Sequence, residues 1–588
     1  MLSRGHRRNR IAVWFETTRR PGLVLVGLVF LLYGRTLGWG FVLDDHRLLY
    51  LLEEYHEGTR ESLGLYRFLV SDESNRQARV AGWYAWWMGD DLRYQHWRPV
   101  TERSLYAQYM IFGARPFGYR LVSLLLYSAG VCLVLALFRV LGRDERLARW
   151  SALVFAVMAG HTIPVVFISA QSDVWALVLC SGAMLAAAYF VRDGRWWYLV
   201  VSAFLYLTSL GSKEACLPAA VLPACFALLT WDRSGASRRA LGSSAFLVSV
   251  GMVWLGFYIS GDFGANNSLM LDPVHAPLEY LSALPERALA LLSSLLIPVN
   301  PFLFYIFQSR TPWLAVYCVM GVIALFLFGR VLWRHHRRQR GIAMFALWIL
   351  PFIPLLVCTT PDDRVMVLPS IGFAYLVGAL MTRLGPQGAA RLRSVPLVLF
   401  VFVHVVFALT VSQVMRAIEL DTKRSLRTAI EGFGRELAPG DCVFFVNDTL
   451  SLHVLFVQYC FEEMVGRRGM TVAFLSDVAE PVVSRVDSHT LRIGNDDEGL
   501  LSGFLGAMGT SRNRPKREGD EFEAGELTGR IVKVSEGVVR EVELRFRKPL
   551  GDDSYRFYWR DSSGGLRPWE VPPAQQGSLA HYGSDVAD

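Results

Sequence analysis

Two adjacent carboxylates, Asp44 and Asp45, stand a few residues beyond a long apolar run near the N-terminus. Ionisable groups at a membrane exit are costly when desolvated, so they usually have a partner or a task. One carboxylate can take a proton from an acceptor hydroxyl while the other orients it or binds a cation; a solvated loop pair is the alternative. His96-Trp97-Arg98-Pro99 precedes the next apolar run. The arginine fork suits phosphate oxygens, and a Trp-Arg interfacial anchor has the same composition. Arg120, early in that run, reads as a snorkelling side chain. His161 lies inside an apolar run, and Gln171-Ser172-Asp173 opens the following one. Such groups face a bundle interior or polar cavity, although Ser172 or Asp173 is also a natural helix cap. Lys213 and Glu214 share a turn too short to leave the membrane surface; they can neutralise each other, or Lys213 can meet a phosphate. Asp362, Asp363 and Arg364 form another such turn, with an internal ion pair as the alternative.

These residues need a scaffold, and the composition says which. Of 588 residues, 53% are hydrophobic and 13% aromatic, and the mean hydropathy is +0.31. The apolar residues come in runs near bilayer length. They cover 22–39, 118–139, 150–168, 174–191, 197–212, 215–231, 241–259, 312–333, 342–358, 365–382 and 395–415, about eleven crossings. The net charge of +8 and pI near 9.1 do not signal nucleic acid, because the arginines cluster in short stretches between apolar runs.

The basic N-terminus (Arg4, Arg7, Arg8, Arg10, Arg19, Arg20) precedes an apolar run without a small-residue cleavage site, so it reads as an uncleaved first span with its N-terminus inside. The arginine clusters at 139–149, 192–195, 232–239, 330–340 and 383–393 then all fall on the cytoplasmic side. The segments 40–117 and 260–311, the turns near 169–173, 213–214 and 359–364, and the tail beyond 416 lie outside. Segment 278–307 is apolar only over 289–299 and carries Pro298 and Pro301, which predicts a re-entrant or interfacial helix.

The tail changes character. Stretches 441–447 and 470–475 read as buried strands around a helix near 452–465, and 530–546 and 554–559 as alternating strands. Stretch 511–526 reads as a loop, and the last dozen residues as a frayed end. The expected organisation is an all-α polytopic membrane domain over 1–415 and a small extracytoplasmic α/β domain over 421–575. Of eight cysteines, Cys442 and Cys460 fall in this tail and either pair or stay as buried thiols. An acidic pair can bind a divalent metal, but no ligand set of convincing spacing stands in the sequence, and no cofactor is assigned.

All five polar motifs map to one membrane face. Carboxylates with Lys and Arg at that face suit a base, an anionic leaving group and a greasy donor. A prenyl-phosphate-linked sugar fits: its tail lies between helices, its phosphate meets Arg and Lys, and an acceptor arrives from water beside Asp44. One displacement at the anomeric carbon inverts the configuration.

Phe41-Val42-Leu43-Asp44-Asp45 resembles the F-x-x-D-D segment after the first helix of the C-type (GT-C) glycosyltransferase superfamily. Trp97-Arg98-Pro99-Val100-Thr101, Phe112-Gly113 and Pro116-Phe117-Gly118-Tyr119-Arg120 are similar to motifs of bacterial relatives of the transmembrane tetratricopeptide-containing O-mannosyltransferases. So, in the same order, are His161-Thr162-Ile163-Pro164 with Asp173, Leu210-Gly211-Ser212-Lys213-Glu214, and Asp363-Arg364-Val365-Met366 through Phe373. The resemblance covers roughly the first 415 residues. It implies the GT-C membrane fold, a polyprenyl-phosphate donor and hexosyl transfer of mannosyltransferase type. It also implies Asp44 as base with Asp45 beside it, and Arg98, Lys213 and Arg364 as donor-phosphate contacts, with His161, Asp173 and Glu214 in the same binding region. Arg120 and Ser123 stand where the group has His and Asn, Gln171-Ser172 replaces Gly-Arg, and the tail lacks tetratricopeptide repeats.

The expected function is an inverting glycosyltransferase of the bacterial inner membrane, its N-terminus cytoplasmic and its tail periplasmic. Its partners are a lipid-linked sugar, a protein or glycan acceptor and membrane lipids, without nucleic acid. The rival classes are a multi-pass transporter or lipid flippase, which calls for inverted repeats and midplane charges, and a scaffold presenting the tail.

Overall fold

The structure is a computed structural model that describes residues 10–230, 234–306, 310–336, 340–383, 391–447, 456–561 and 565–573. Arg4, Arg7 and Arg8, parts of the arginine clusters at 232–239, 330–340 and 383–393, the start of the expected helix near 452, and the expected frayed end lie outside the described residues.

Each expected apolar run is helical where it is described, although 215–231 and 342–358 are each broken into three short pieces. Among the described residues, six helices are long and apolar enough to cross a membrane: Pro21–Gly38, Pro116–Gly142, Gln171–Asp193, Gly235–Ser260, Pro312–Arg334 and Val398–Glu431. A seventh candidate, Glu145–Val157 with Ala159–Val166, bends by 58° at its break. Four more, Trp196–Leu210, Glu214–Leu229, Arg340–Leu356 and Pro369–Thr382, are apolar but shorter. At 1.5 Å per residue, an α-helix of about 15 residues falls short of the ~30 Å hydrocarbon core. Length and composition therefore support six crossings, or seven with the bent pair, in an integral membrane protein.

Local chemistry sets several of these boundaries. Pro21, Pro99 and Pro116 occupy the first turns of their helices, where a missing N–H costs nothing. Asp144 caps the helix Glu145–Val157 by accepting from the Leu147 N–H at 3.1 Å, and Gly194 ends Gln171–Asp193 with φ 74°. Close helix approach depends on glycine: a Cβ on Gly378 would lie 2.2 Å from Ser151 Oγ, and one on Gly130 2.6 Å from Leu177 Cδ2.

The polar segments 40–117 and 260–311 carry structure that the apolar pattern did not announce. Arg67–Leu69, Arg93–Gln95 and Gly264–Asn266 form a three-stranded sheet that ties the two together. Segment 278–307 holds the helices Pro277–Ser294 and Phe302–Ile306, neither of which qualifies as a span.

The helix Arg391–Glu431 runs unbroken through the expected boundary at 415–421. Beyond it, Cys442–Phe445, Thr471–Phe474 and Tyr555–Arg560 pair in parallel, with the helix Val457–Val465 as a crossover. A second sheet is antiparallel, in the order Val482–Arg485, Thr490–Gly494, Val538–Phe546, Leu527–Ser535, Glu521–Ala524. Its last strand lies in the stretch 511–526 that reads as a loop from sequence. Trp86 and Trp87 from segment 40–117 are buried in the tail's apolar core, with Trp86 Nε1 donating to Leu475 O at 3.1 Å. Cys442 and Cys460 are free thiols.

Candidate active site

The helix Asp44–His56 begins at an unusual backbone. Leu43, its cap residue, has φ 51° and ψ −119°, a region that side chains disfavour by roughly 1–3 kcal/mol. The turn is held from several sides. Leu43 packs with Phe167, Ala170 and Phe456, and its N–H donates to Glu419 Oε2 at 3.3 Å.

This turn separates the acidic pair. Asp45 is fully buried: Oδ1 accepts from the Ser169 N–H at 2.8 Å and Oδ2 from the Val42 N–H at 3.2 Å. Arg120 Nη2 lies 3.8 Å from Asp45 Oδ2. Arg120 does not snorkel. It is 1% exposed and donates to the carbonyls of Val166 (2.5 Å) and Gly40. Asp44 is the opposite case. Its side chain stays exposed, and among the described residues no protein donor is hydrogen-bonded to its carboxylate. Desolvation by the surrounding protein pushes its carboxyl pKa up, against the pull of Arg364 and Arg47.

Arg364 faces the same space, within electrostatic reach of Asp362, Asp173, Tyr94 and Asp44. It pairs with Asp362 (Nε–Oδ2 2.9 Å) and keeps 42% of its side chain exposed. Asp362 also caps the turn, accepting from the Arg364 N–H and from Asn300 Nδ2, both at 3.0 Å. Burial, reinforced by Asp362, pushes the Asp363 carboxyl well above the usual carboxylate range.

Two ion pairs flank this centre, and they differ from the neighbour-with-neighbour pairing open to Lys213 and Glu214. Arg98 grips Glu214 with its fork (Nη2–Oε1 2.6 Å, Nε–Oε2 3.1 Å), and its Nη1 lies 3.5 Å from Ser172 Oγ. Lys213 pairs with Asp173. Burial alone would raise the Glu214 pKa, but Arg98 and His96 overcome it and hold the carboxylate well below its usual range. His96 Nδ1 sits 3.2 Å from Tyr258 Oη and 3.6 Å from Glu214 Oε1. Burial lowers its pKa to about 4, despite Glu214, with Arg98, Lys213 and Arg364 adding to the fall.

The helix Gln171–Asp193 starts without a side-chain cap, so neither Ser172 nor Asp173 caps it. His161 does not join the cluster. It is 1% exposed at the bent helix pair, with Nδ1 2.8 Å from Tyr127 Oη and Nε2 2.9 Å from Ser370 Oγ.

The arrangement thus brings together Asp44, Arg98, Asp173, Lys213, Glu214 and Arg364, with Asp45 behind Asp44. Sequence inspection singled out neither Tyr94 nor Glu419, because the short outer strands and the far end of a 41-residue helix carry no signal of their own.

The chain is 27% identical over 223 residues to protein O-mannosyl-transferase Tmtc1 of Drosophila melanogaster, covering 38% of this chain and 24% of that one. Tmtc2 of the same organism matches at 27% over 214 residues, 35% of this chain and 21% of that one. This chain resembles the protein O-mannosyl-transferases. The matched stretch spans about a quarter of these curated relatives. No family model matches. Among solved structures, ArnT from Cupriavidus metallidurans bound to undecaprenyl phosphate aligns with TM-score 0.38 at 15% identity, over 77% of this chain and 86% of that one. The oligosaccharyltransferase AglB from Archaeoglobus fulgidus, in complex with an inhibitory peptide and a dolichol-phosphate, aligns with TM-score 0.39 at 14% identity, over 78% and 65%.

Proposed function

We propose that this chain is a glycosyltransferase of the bacterial inner membrane that moves a hexose, in the manner of a mannosyltransferase, from a polyprenyl-phosphate donor to a protein or glycan acceptor. The observation that carries this reading is the exposed Asp44, whose carboxylate has no hydrogen-bond donor among the described residues, within electrostatic reach of the half-exposed Arg364. In this reading the acceptor hydroxyl gives its proton to Asp44 as its oxygen attacks the anomeric carbon. The bond between that carbon and the phosphate oxygen breaks, and its electron pair leaves with the phosphate. Arg364 neutralises the charge that develops there, and one displacement inverts the sugar. Asp45 positions the helix. Arg98 and Lys213, each already paired to a carboxylate, fix the walls beside the phosphate and leave its charge to Arg364.

The proposed topology has eleven crossings with the N-terminus cytoplasmic, residues 1–415 as the membrane unit and 421–575 as a periplasmic domain. What supports a common face for these turns is that Asp44, Arg98, Asp173, Lys213, Glu214 and Arg364, far apart in sequence, lie within pairing or electrostatic reach of one another. A panel of polyprenyl-phosphate sugars supplied to the reconstituted full chain tests the reading. At least one donor is expected to yield glycosylated acceptor of inverted anomeric configuration, together with polyprenyl phosphate. Donor movement across the bilayer without transfer would replace this reading with a flippase.

A further inference from the structure

His46, Glu419 and Cys460 come from three elements, the helices Asp44–His56, Arg391–Glu431 and Val457–Val465. Their ligand atoms lie within 4.8 Å of one another, and the residues are 2%, 5% and 0% exposed. We propose that this triad is a metal site of zinc type, built by His46 Nε2, Glu419 Oε1 and Cys460 Sγ.

The donor set selects the ion. One imidazole, one carboxylate and one thiolate match a borderline-soft cation such as zinc, whereas magnesium and calcium take oxygen ligands. His46 Nε2 faces Glu419 Oε1 at 2.9 Å, and its other nitrogen, Nδ1, is bonded to Glu463 Oε2. A carboxylate on the far nitrogen is the usual support of a metal-bound histidine, since it fixes the tautomer and the ring orientation. Lys423 Nζ stands 2.7 Å from the same Glu419 oxygen. The rival account is a histidinium held between two carboxylates with Lys423 completing the balance. That account uses Glu419, Glu463 and Lys423 but gives the fully buried Cys460 thiol no role. With the ion, charge also balances: two positive charges on the metal and one on Lys423 meet Glu419, Glu463 and the Cys460 thiolate. Binding releases the Cys460 thiol proton and the proton on His46 Nε2 to solvent, leaving His46 neutral.

The site would staple the helix that begins at Asp44 to the long helix and to the tail. Glu419 is the pivot, because its second oxygen accepts from the N–H of the strained Leu43. The inference does not depend on glycosyl transfer.

The test uses the full chain purified in detergent, loaded with zinc chloride and dialysed, with metal measured by mass spectrometry. About one zinc per chain is expected, falling to background in Cys460→Ser. Loading with cobalt(II) is expected to give a thiolate charge-transfer band in the near ultraviolet that Cys460→Ser abolishes. A strong chelator is expected to lower the Tm of the wild type and leave that of Cys460→Ser unchanged. Wild-type chain that retains no zinc and shows no cobalt–thiolate band overturns the proposal in favour of the ion-pair cluster. The cobalt band on wild type decides the matter even where Cys460→Ser fails to fold.

Discussion

Asp44 and Asp45 are adjacent and chemically identical, yet substitution to asparagine is expected to affect them in different ways. Asp45→Asn removes a fully buried negative charge from Arg120, itself 1% exposed. The asparagine can still accept from the Ser169 N–H but no longer offsets the guanidinium. Leaving a buried charge uncompensated costs about 3–5 kcal/mol. Asp44→Asn disturbs no hydrogen bond among the described residues and leaves the fold nearly as stable. Loss of a positioned general base slows the chemical step by about 10²–10⁴-fold, which is roughly 3–5.5 kcal/mol of transition-state stabilisation. The assay pairs sugar transfer in proteoliposomes with thermal unfolding of the same preparations. Asp44→Asn is expected to keep the wild-type Tm and lose transfer, whereas Asp45→Asn loses several degrees of Tm. Equal Tm losses would refute the division of the pair, and full transfer by Asp44→Asn would refute the base assignment.

Arg364→Gln is expected to raise the KM for donor at least about tenfold by removing a charged phosphate contact, and to lower Tm because it takes the ion-pair partner from the buried Asp362 carboxylate. Donor titration with the wild type alongside checks it, and an unchanged KM removes Arg364 from the phosphate site. Arg98→Gln is expected to lower Tm as well, because it leaves Glu214 without its fork, at a cost of about 1–3 kcal/mol. In the tail, burial pushes the Asp477 carboxyl up to about 6, even though the Leu501 N–H bonds it at 2.7 Å and Lys516 lies near. The folded state therefore holds this proton longer than the unfolded chain. Its contribution is fully present below about pH 4 and is lost as pH rises through about 6, a change of roughly 3 kcal/mol. Asp477→Asn is expected to remove that step from the Tm–pH profile, and a variant with the wild-type slope would contradict it.

The long apolar helices were legible because their signal is local: a run of apolar residues is its own evidence, and the expected runs are helical, though among the described residues six are long enough to cross a membrane unbroken. The short strands were not, since three residues such as Arg93–Gln95 show no period of their own and exist only through Arg67–Leu69 and Gly264–Asn266. The candidate site was half legible. The residue types and their order along the chain drew attention to Asp44, Arg98, Lys213 and Arg364. What sequence could not decide was who meets whom. Lys213 is extended (φ −159°, ψ 131°) just ahead of the turn opened by Glu214, and adjacent side chains on extended backbone point apart. Lys213 therefore reaches Asp173 and Glu214 reaches Arg98, instead of each other. At the head of a helix, successive side chains diverge by about 100°. That rotation sends Asp45 inward to Arg120 and leaves Asp44 exposed within electrostatic reach of Arg364. Composition determined that this chain carries charged groups in the turns between apolar helices, and tertiary packing decided which of those charges pair with each other and which stay free to act.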